Sequence, residues 1–459
     1  MSADANASKS AGSPGLCRVG IVGGGMLGMT LALRLRDRGC DVTLIEAAPS
    51  AGGLVQSQTI GGYTWDRFYH VTLLSDQHLH GLLRELGLGS LLRWGTTRTG
   101  FYTGGRLRSL STSLEFLTFP VLSLVDKARL GATILRAARM RDWHPLEQVS
   151  VETWLRRWSG NRTFERIWLP LLKSKLGDNY RITSASFIWA TIARMYAARR
   201  SGLKREMFGY VDGGYERVLR EFGTRLEARG VTIRCGDPVA AVTDEGDGVR
   251  VRLASGGEHS FDRVVLTVPC PRVVALCPQL TSAERARLGR VVYQGIVCAS
   301  ALLRRPLGGY YITNITDDGV PFTAVIEMTA LVDRERFGGQ TLVYLPRYLT
   351  QDDAFWRAPD AEVRSTFLAA LGRMYPDLRP EDVTAFQVAR VREMLAVTTL
   401  DYSRSACPPI ETSMPNVFIV NSAQIVNGTL NVNETIALAN DGARRLEPML
   451  RVSATPVAA

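Results

Sequence analysis

One short segment near the start of the chain constrains the fold more than any other. The apolar run 17–22 is typical of a buried strand, and a turn of the pattern G-x-G-x-x-G follows it over 23–28. A helical pattern then continues to about Arg38, and a second apolar strand covers 41–45, directly before Glu46. This order of strand, glycine turn, helix, strand and acid predicts a βαβ unit that binds a dinucleotide.

Each residue type in this unit has a physical reason. Gly23 allows the tight turn, Gly25 lets the backbone approach a pyrophosphate, and Gly28 lets helix and strand pack closely. The helix N-terminus offers free N–H groups and a partial positive charge to phosphates, and Glu46 can accept hydrogen bonds from a ribose. We therefore predict an adenine-dinucleotide site rather than a bare structural turn. The predicted contact residues are Gly23, Gly24, Gly25, Met26, Leu27, Gly28 and Glu46.

A second glycine pair lies shortly after the second strand. Gly52 and Gly53 precede Leu54 in the sequence Ala51-Gly52-Gly53-Leu54. Another close backbone approach to the same ligand explains a glycine pair at this place, and the alternative is an ordinary turn. We predict that the pair and Leu54 contact the dinucleotide.

The composition is that of an ordinary globular protein. The 459 residues are 46% hydrophobic and 22% charged, which excludes a disordered chain and a fibrous repeat and suggests two or three domains. The longest uncharged stretch, 412–433, contains Pro415 and five Asn, so it is not expected to cross a membrane. Residues 1–16 lack an apolar core and are predicted to be a disordered tail rather than a secretory signal, and 452–459 to be a second tail.

Cysteine and histidine indicate neither disulfides nor a metal. The seven Cys form no CxxC pair, and the five His show no metal-ligand spacing. Unpaired cysteines fit a reducing compartment, so we predict a cytoplasmic location and no metal site.

Positive charge is concentrated in one part of the chain. The formal net charge is +11, and residues 152–205 hold 12 basic and 3 acidic side chains. Such a patch suits an anionic lipid surface or an anionic substrate, and a solvated helical face is the alternative. No nucleic-acid-binding module is recognisable, and we expect no nucleic-acid partner.

The hydrophobic period changes along the chain. Apolar positions recur every three or four residues through much of 76–208, which predicts a mostly helical segment. Five of its Trp (143, 154, 158, 168 and 189) fit a helical core, a pocket for a bulky apolar substrate, or a surface that rests on a membrane. Beyond Gly213 short strands alternate with Gly/Asp turns. The predicted helices are 78–92, 123–140, 151–158, 185–199, 216–229 and 432–446, and the predicted strands are 231–234, 239–242, 249–253, 263–268, 291–303, 341–345 and 417–420.

With these features together, the chain resembles the FAD-dependent amine-oxidase superfamily, in the branch of protoporphyrinogen oxidase and the phytoene-type desaturases. Three segments carry the resemblance: VGIVGGGMLGMTLALRLRDRGCDVTLIEAAPSAGGL, GGYERVLREFGTRLEARGVTIRCGDPVAAV and NVFIVNSAQIVNGTLNVNETIALANDGARRL. They lie between residues 17 and 446. A Gly-Gly pair after the acid is typical of FAD rather than NAD in this superfamily, so the resemblance implies FAD.

The resemblance also implies contacts further along the chain. Val239 would touch the adenine through its backbone. Residues 431–435 would present a helix N-terminus to the pyrimidine side of the flavin, where negative charge collects on reduction. The C-terminal residues assigned to the flavin side are Ser422, Val432 and Asn433.

The sequence departs from the family pattern in four respects. Ser50 stands where an Arg is frequent, and Asn421-Ser422 replaces the usual Gly-Asp or Gly-Glu. No Lys occurs in 270–405, where many amine oxidases place one near the flavin, so a Lys-dependent mechanism is disfavoured. Cys407 lacks the surroundings of the family's covalent attachment motif, and we predict non-covalent FAD.

The expected fold class is α/β, with a discontinuous Rossmann-type FAD-binding domain, a mixed β-sheet substrate domain and a helical insertion. The expected FAD-binding domain comprises 17–75, 209–270 and 408–450. The expected helical domain, which faces substrate or membrane, is 76–208, and the substrate-binding sheet is 271–407.

Three functions fit this architecture. The first is an oxidase, dehydrogenase or desaturase that moves a hydride from a CH–NH, CH–CH or CH–OH bond of a bulky organic substrate to flavin N5. Its substrate is expected to be apolar or anionic, and its electron acceptor oxygen or a quinone. The second is a flavin-dependent isomerase, because Tyr69-His70 loosely resembles the flavin-facing stretch of UDP-galactopyranose mutase. The third is a non-catalytic FAD-binding partner protein.

Catalytic residues are not fixed by any motif. His70 follows the strand expected near the flavin and can orient substrate or carry protons, and the alternative is a hydrogen-bonded packing histidine. Tyr344 and Arg347 lie in the expected substrate sheet, as do Glu327 and Tyr348. Each of these residues could line the substrate pocket, pack within a strand or pair with another residue at the surface. No residue is assigned as a catalytic base.

Overall fold

The computed structural model describes residues 16–111, 115, 118, 122–198, 207–426 and 430–450, without the side chains of 197 and 198. The two expected tails, apart from Leu16, lie outside the described residues. The strands are β1 (Arg18–Val22), β2 (Asp41–Glu46), β3 (Ser57–Ile60), β4 (Tyr63–Asp66), β5 (Leu92–Thr96), β6 (Thr99–Thr103), β7 (Arg106–Ser109), β8 (Met207–Val211), β9 (Thr232–Cys235), β10 (Val239–Asp244), β11 (Val249–Leu253), β12 (Glu258–Phe261), β13 (Arg263–Leu266), β14 (Tyr293–Leu303), β15 (Ile312–Ile315), β16 (Ala324–Glu327), β17 (Thr341–Leu349), β18 (Val383–Ala396) and β19 (Val417–Ile419).

Helices alternate with these strands, and a π-helical turn, Phe164–Trp168, joins two of them. The helices are α1 (Met26–Arg36), α2 (Gln77–Glu85), α3 (Leu124–Arg139), α4 (Val151–Ser159), α5 (Asn161–Thr163), α6 (Leu169–Leu176), α7 (Ala185–Ala198), α8 (Gly214–Ala228), α9 (Cys270–Leu276), α10 (Ser282–Gly289), α11 (Asp360–Met374), α12 (Tyr402–Ser405) and α13 (Val432–Leu446). The predicted helix over 432–446 is confirmed at both ends, and the seven predicted strands between 231 and 420 are confirmed to within a few residues.

A parallel sheet in the described part of the chain has the order β19-β13-β1-β2-β9. Its strands come from three separated parts of the sequence, and in the register Ile21 lies between Leu44 and Val265. One face is covered by α1, α8 and α13, and the other by the antiparallel strands β10, β11 and β12. All strands of this sheet are parallel, so their carboxyl ends meet at one edge.

A larger mixed sheet has the order β18-β14-β17-β16-β15-β6-β7. Its β15–β6 pair is parallel and its other pairs are antiparallel. One face packs on α11 through Phe367 and Leu371, and the other packs on the β3–β4 hairpin, which includes Trp65. The hairpin is tied to this sheet by a 2.8 Å hydrogen bond from Gln58 to Ser300.

The prediction of a mostly helical 76–208 is wrong in one part. Residues 92–109 form β5, β6 and β7, and β6 and β7 belong to the large sheet. The substrate sheet is therefore not built from 271–407 alone. These strands are short and rich in Gly, Thr and Arg, so the hydrophobic signal of a strand is weak there.

The remaining helices, α3 to α7, share an apolar cluster. Trp154 and Trp168 are buried in it, and Trp158 and Trp189 pack against it. These four Trp therefore belong to a helical core. No helix among the described residues is long and apolar enough to cross a membrane.

Candidate functional site

The first glycine turn lies at the carboxyl edge of the parallel sheet. Gly23 has a positive φ of 109°, and its carbonyl accepts a 2.9 Å hydrogen bond from Thr267 Oγ1. A Cβ on Gly28 would lie 1.9 Å from the Gly23 oxygen. The absence of side chains at both positions is what lets helix α1 approach the sheet so closely.

The N-terminus of α1 has no side-chain cap. Its N-cap residue is Gly25, and no acidic side chain lies in the first turn. Met26 and Leu27 are buried, and their backbone N–H groups belong to the first turn of α1, where N–H groups have no partner within the helix. A helix N-terminus left open in this way attracts anions.

Glu46 closes β2 beside this turn. Its carboxylate accepts the N–H groups of Gly24 at 2.6 Å and Ala48 at 2.8 Å. A Cβ on Gly24 would lie 2.9 Å from the Glu46 Cβ, which explains a glycine there. The half-buried carboxylate is thus fixed at the sheet edge, where it can accept further hydroxyl donors.

The second glycine pair lies against the first. Gly52 donates its N–H to the Gly24 carbonyl at 2.8 Å, and the two segments form a parallel bridge between Gly25 and Gly52. A Cβ on Gly53 would come within 3.1 Å of the Gly25 Cα. The two glycine segments therefore make one cradle at the carboxyl edge of the sheet, and Leu54 leads from it to the large sheet, where it packs.

The C-terminal segment reaches the same edge. Asn421 follows β19 and donates through Nδ2 to the Val268 carbonyl at 2.9 Å, and Ser422 begins a short 3-10 turn. Helix α13, which begins at Val432, packs against α1.

Two predicted contact residues have other evident partners. Asn433 is buried, and its Oδ1 accepts the backbone N–H groups of His78 and Leu79 at 2.9 and 3.2 Å, at the start of α2. Val239 begins β10, opposite Leu253, and packs against the cluster below the sheet.

His70 lines a cavity at the end of β4. The other lining side chains include Trp65, Asp66, Thr72, Tyr210 and Tyr215. The His70 ring lies 5.1 Å from that of Tyr215, and its buried Nδ1 has no hydrogen-bond partner among the described residues. Because the backbone of Phe68 is a hydrogen-bond partner of the imidazole, the alternative of a hydrogen-bonded packing histidine stays open.

Asp66 lies beside His70. Its Oδ2 is 3.9 Å from His70 Nδ1, and its Oδ1 accepts the Tyr215 N–H at 2.7 Å at the start of α8. Burial raises the pKa of Asp66 to about 7, although the Tyr215 N–H opposes the shift. Burial lowers the pKa of His70 to about 4. The two shifts bring a carboxyl that is still partly protonated near neutral pH and an imidazole that is neutral there into one cavity.

Tyrosines of the large sheet face this region. Tyr344 donates its hydroxyl to the Asp66 carbonyl, and its ring centroid lies 6.2 Å from that of Tyr69. The hydroxyls of Tyr69 and Tyr348 lie 2.7 Å apart, and Lys175 Nζ donates to Tyr348 at 2.8 Å. Tyr69, Tyr348 and Leu54 pack on the same apolar cluster, which therefore extends from the end of the glycine cradle to these tyrosines.

Arg347 and Glu327 are not part of this group. Arg347 lies over the Phe355 ring at 4.0 Å and 3.8 Å from Asp353, on the α11 side of the sheet, opposite to Tyr348. The buried Glu327 accepts the backbone N–H groups of Leu307, Gly308 and Gly309, so it holds a loop. The structure thus brings together His70, Tyr344 and Tyr348 but separates Arg347 from them.

Sequence reasoning did not assign Asp66 or Lys175 to the site, and it named Tyr69 only together with His70. Tyr69 and Lys175 are joined only through Tyr348, which lies 173 residues after Lys175. The signal for Asp66 was its place four residues before His70 at the end of a strand, which nothing in the sequence marks as buried.

The cradle fits a dinucleotide, because its open helix N-terminus and missing side chains leave backbone donors for a pyrophosphate. Together with the parallel sheet and the acid at its edge, it defines a dinucleotide-binding protein. The chain belongs to the flavin containing amine oxidoreductase family, whose model matches residues 27–425. The resemblance read from the sequence is confirmed, and the cofactor of this family is FAD.

Two relatives illustrate the family. The chain is 28% identical to coproporphyrinogen III oxidase of Mycobacterium leprae over 59% of its own length and 64% of the relative, so it spans less than two thirds of that protein. It is 23% identical to zeta-carotene desaturase of Synechocystis over 88% of its own length and 92% of the relative.

Solved structures share the fold. An oxidoreductase from Methanosarcina mazei matches 93% of this chain and 100% of its own, with a TM-score of 0.72 and 17% identity. Reduced UDP-galactopyranose mutase matches 96% of this chain and 98% of its own, with a TM-score of 0.72 and 15% identity. At these identities the likeness shows the α/β fold, which confirms the predicted fold class.

Proposed function

We propose that the protein oxidises a bulky, largely apolar organic molecule at a CH–NH, CH–CH or CH–OH bond and passes the electrons to oxygen or a quinone. Bound FAD supplies a two-electron acceptor that takes a hydride or its equivalent at N5. One observation carries the proposal: Leu54, which directly follows the glycine cradle, packs on the same apolar cluster as the tyrosines of the large sheet. An apolar, partly enclosed face next to a flavin suits a substrate that must be held away from water.

FAD is held, in this proposal, by the three segments at the sheet edge. The backbone of Gly23 to Gly28 binds the pyrophosphate and Glu46 the ribose, while Gly52 and Gly53 approach the cofactor a second time. Val239 lies on the adenine side, and Ser422 and Val432 lie on the flavin side. Asn433 contributes by fixing α13 to α2 through its two backbone hydrogen bonds. The assigned domain boundaries, 17–75, 209–270 and 408–450, remain part of this proposal.

The residues of the chain itself then position the substrate and a proton. The tyrosine face excludes water, and Tyr344 fixes the end of β4 to the sheet. His70, neutral at pH 7 because of burial, can take up a proton at Nδ1 within 3.9 Å of an Asp66 oxygen. The names of the two relatives, an oxidase and a desaturase, support oxidation.

The test is anaerobic titration of the purified FAD-loaded protein. Its visible spectrum is recorded while apolar amines, alcohols and polyenes are added in turn. We expect at least one class to bleach the oxidised flavin, and oxygen or a quinone to restore the colour. Failure of all three classes to reduce the flavin would contradict the proposal.

A second candidate is a flavin-dependent isomerase of nucleotide sugars. Tyr69-His70 lies in the cavity region, which favours it, whereas the likeness to the mutase shows the fold alone. This candidate predicts turnover of a nucleotide sugar only after dithionite reduction, without net consumption of electrons.

We also propose peripheral contact with an anionic membrane at the start of α3. Leu124 and Val125 are 73% and 68% exposed, and Leu135 lies about three turns further along the same side of the helix. Arg129 and Arg136 are exposed nearby. Sedimentation with vesicles of anionic lipid tests this: wild type is expected to co-sediment, and Leu124→Ser/Val125→Ser to stay in the supernatant. A cytoplasmic location remains a prediction.

A further inference from the structure

Three distant parts of the chain meet at two tyrosine hydroxyls. Lys175 lies in the last turn of α6, Tyr348 lies in β17 of the large sheet, and Tyr69 follows the β3–β4 hairpin. The Lys175 ammonium donates to the Tyr348 hydroxyl at 2.8 Å and lies 4.2 Å from the centre of its ring. The Tyr69 hydroxyl lies 2.7 Å from that of Tyr348. We call these three residues the lysine–tyrosine cluster.

The lysine–tyrosine cluster has more donors than acceptors. An ammonium group has three N–H donors and no acceptor, and one of the three is used on Tyr348. Only one proton can lie between the two tyrosine oxygens, so the other hydroxyl proton is free for an acceptor. Two N–H groups and one O–H group therefore converge without an acceptor among the described residues.

The positive charge of the cluster is not balanced. Among the residues that the structure describes, no carboxylate oxygen lies within 4.0 Å of Lys175 Nζ. Lys175 is half-buried, whereas Lys173, on the same helix, is exposed to water. A half-buried cation without a counter-charge is costly unless something else supplies the negative charge.

The tyrosines stay protonated at neutral pH. Burial raises the pKa of Tyr348 to about 12, although its hydrogen bond with Tyr69 opposes the shift. Burial also raises the pKa of Tyr69 well above its ordinary value, while the charge of Lys175 acts in the opposite direction. Neither phenol therefore balances the ammonium by ionising.

The surroundings of the cluster are apolar. Tyr348 and Tyr69 pack on the cluster that contains Ile296, Cys298 and Tyr344. Tyr69 directly precedes His70, which lines the cavity beside Asp66. A ligand that reached these donors would thus place an anionic end on them and an apolar body against the sheet.

We propose that Lys175, Tyr348 and Tyr69 bind a carboxylate group of the substrate, which makes the substrate class apolar organic acids. The carboxylate oxygens accept from the Lys175 ammonium and from the free tyrosine hydroxyl, and no covalent step is involved. This inference rests on the proposed oxidation at the same site and adds the chemical group by which the substrate is oriented. Charge-assisted hydrogen bonds of this kind are among the stronger ones that a protein makes.

The test compares two probes that share one ring system. Purified FAD-loaded protein is titrated with 2-naphthoate and with neutral 2-naphthalenemethanol, and binding is followed by calorimetry and by the perturbation of the flavin spectrum. We expect naphthoate to bind at least about tenfold more tightly, as one charge-assisted contact predicts. Lys175→Met should abolish this preference, Tyr348→Phe should reduce it, and Lys175→Arg should retain most of it.

Lys173→Met is the matched control, because it removes the same charge from an exposed position of the same helix. Its naphthoate preference is expected to equal that of wild type. Equal binding of the two probes by wild type, or a preference that survives in Lys175→Met, would overturn the inference. If Lys175→Met does not retain its flavin, the ratio of naphthoate to naphthalenemethanol affinity is measured on Lys175→Gln and Tyr348→Phe instead. An unchanged ratio in both variants would overturn the inference.

The two proposals fail separately in this experiment. Absence of the carboxylate preference in the wild-type protein, with substrate-driven flavin reduction intact, would refute only the carboxylate site. A carboxylate preference without reduction by any compound would refute only the proposed oxidation. A purely structural cation–π contact predicts a lower melting temperature for Lys175→Met and an unchanged ratio of the two affinities.

Discussion

A single missing methyl group decides how closely the first helix approaches the sheet. The Cβ that Gly28 lacks would lie 1.9 Å from the Gly23 oxygen, which real Cβ atoms do not tolerate. Replacing Gly by Ala inside a helix ordinarily stabilises a protein by about 0.5–1 kcal/mol. At Gly28 the clash reverses that sign.

We therefore expect opposite effects from two identical substitutions. Gly28→Ala should lower the melting temperature and the flavin content of the purified protein. Gly223→Ala, in α8, should raise stability slightly, because its Cβ would have nothing within 4 Å. Thermal denaturation and the ratio of absorbance at 450 and 280 nm measure both. A Gly28→Ala protein as stable and as yellow as wild type would show that the cradle is not tightly packed.

Asp66 and His70 give a pH signature that separates them. The folded pKa of His70, about 4, is below its ordinary value of 6.5, so its contribution to stability is present above pH 6.5 and is lost as pH falls through 4. The folded pKa of Asp66, about 7, is above its ordinary value of 3.8, so its contribution is present below pH 3.8 and is lost as pH rises through 7. The two contributions oppose one another between pH 4 and 7.

When either residue is replaced, the free energy of unfolding should therefore depend on pH in the direction set by the residue that remains. Asp66→Asn, whose amide oxygen can still accept the Tyr215 N–H, should gain stability as pH rises from 4 to 6.5, and His70→Gln should lose stability over pH 4 to 7. Urea denaturation at a series of pH values, with the double variant as the control, measures the slopes. Slopes of the same sign in both single variants would contradict the assigned shifts.

At the scale of secondary-structure elements, Asn433 connects two helices. Sequence reasoning placed it on the flavin side, and the structure shows its Oδ1 on the first N–H groups of α2. Helix starts need such acceptors, because their first N–H groups have no partner within the helix. The Asn433 side chain thus connects α13 to the start of α2.

Asn433→Ala should lower the free energy of unfolding by about 1–2 kcal/mol, because the N–H groups of His78 and Leu79 lose their acceptor. Asn433→Asp keeps an acceptor at a helix N-terminus and should restore most of the loss. Chemical denaturation measures both variants. Equal stability of the Ala and Asp variants would exclude the capping role.

The sequence predicts elements well where their signal is local. The βαβ unit and the helix 432–446 follow from short patterns of glycine and apolar period, and both are confirmed. Strands β6 and β7 were missed because their sequences, TGFYT and RLRS, carry little apolar alternation, and the sheet next to them supplies the pairing. The lysine–tyrosine cluster could not be predicted, because its contacts depend on how three distant segments pack.

At the scale of the whole molecule, the cofactor site gathers segments that are far apart in sequence. The cradle uses 23–28, 46 and 52–54, and the same sheet edge is completed by Val268 and Asn421. A ligand that binds only the folded chain stabilises it by mass action. FAD is thus expected to stabilise the parallel sheet as a unit and not one segment of it.

Removal of FAD should lower the melting temperature, and added FAD should restore it in proportion to the logarithm of its concentration. At a hundredfold excess over the dissociation constant the effect corresponds to about 2.7 kcal/mol. Differential scanning fluorimetry of apoprotein with a series of FAD concentrations measures it. Glu46→Gln, which keeps the contact to the Gly24 N–H, should shift this curve to higher FAD concentration with little change in apoprotein stability. A melting temperature independent of FAD would contradict the cradle.

The order of strands in the parallel sheet also has a consequence for synthesis on the ribosome. The outermost strand, β19, ends at Ile419, and it pairs with β13, which itself lies beside the very first strand. Strand β13 therefore has no partner on its outer side until the chain has been synthesised as far as β19. Because exposed strand borders favour aggregation, chains truncated before β19 should aggregate more readily than chains that include it.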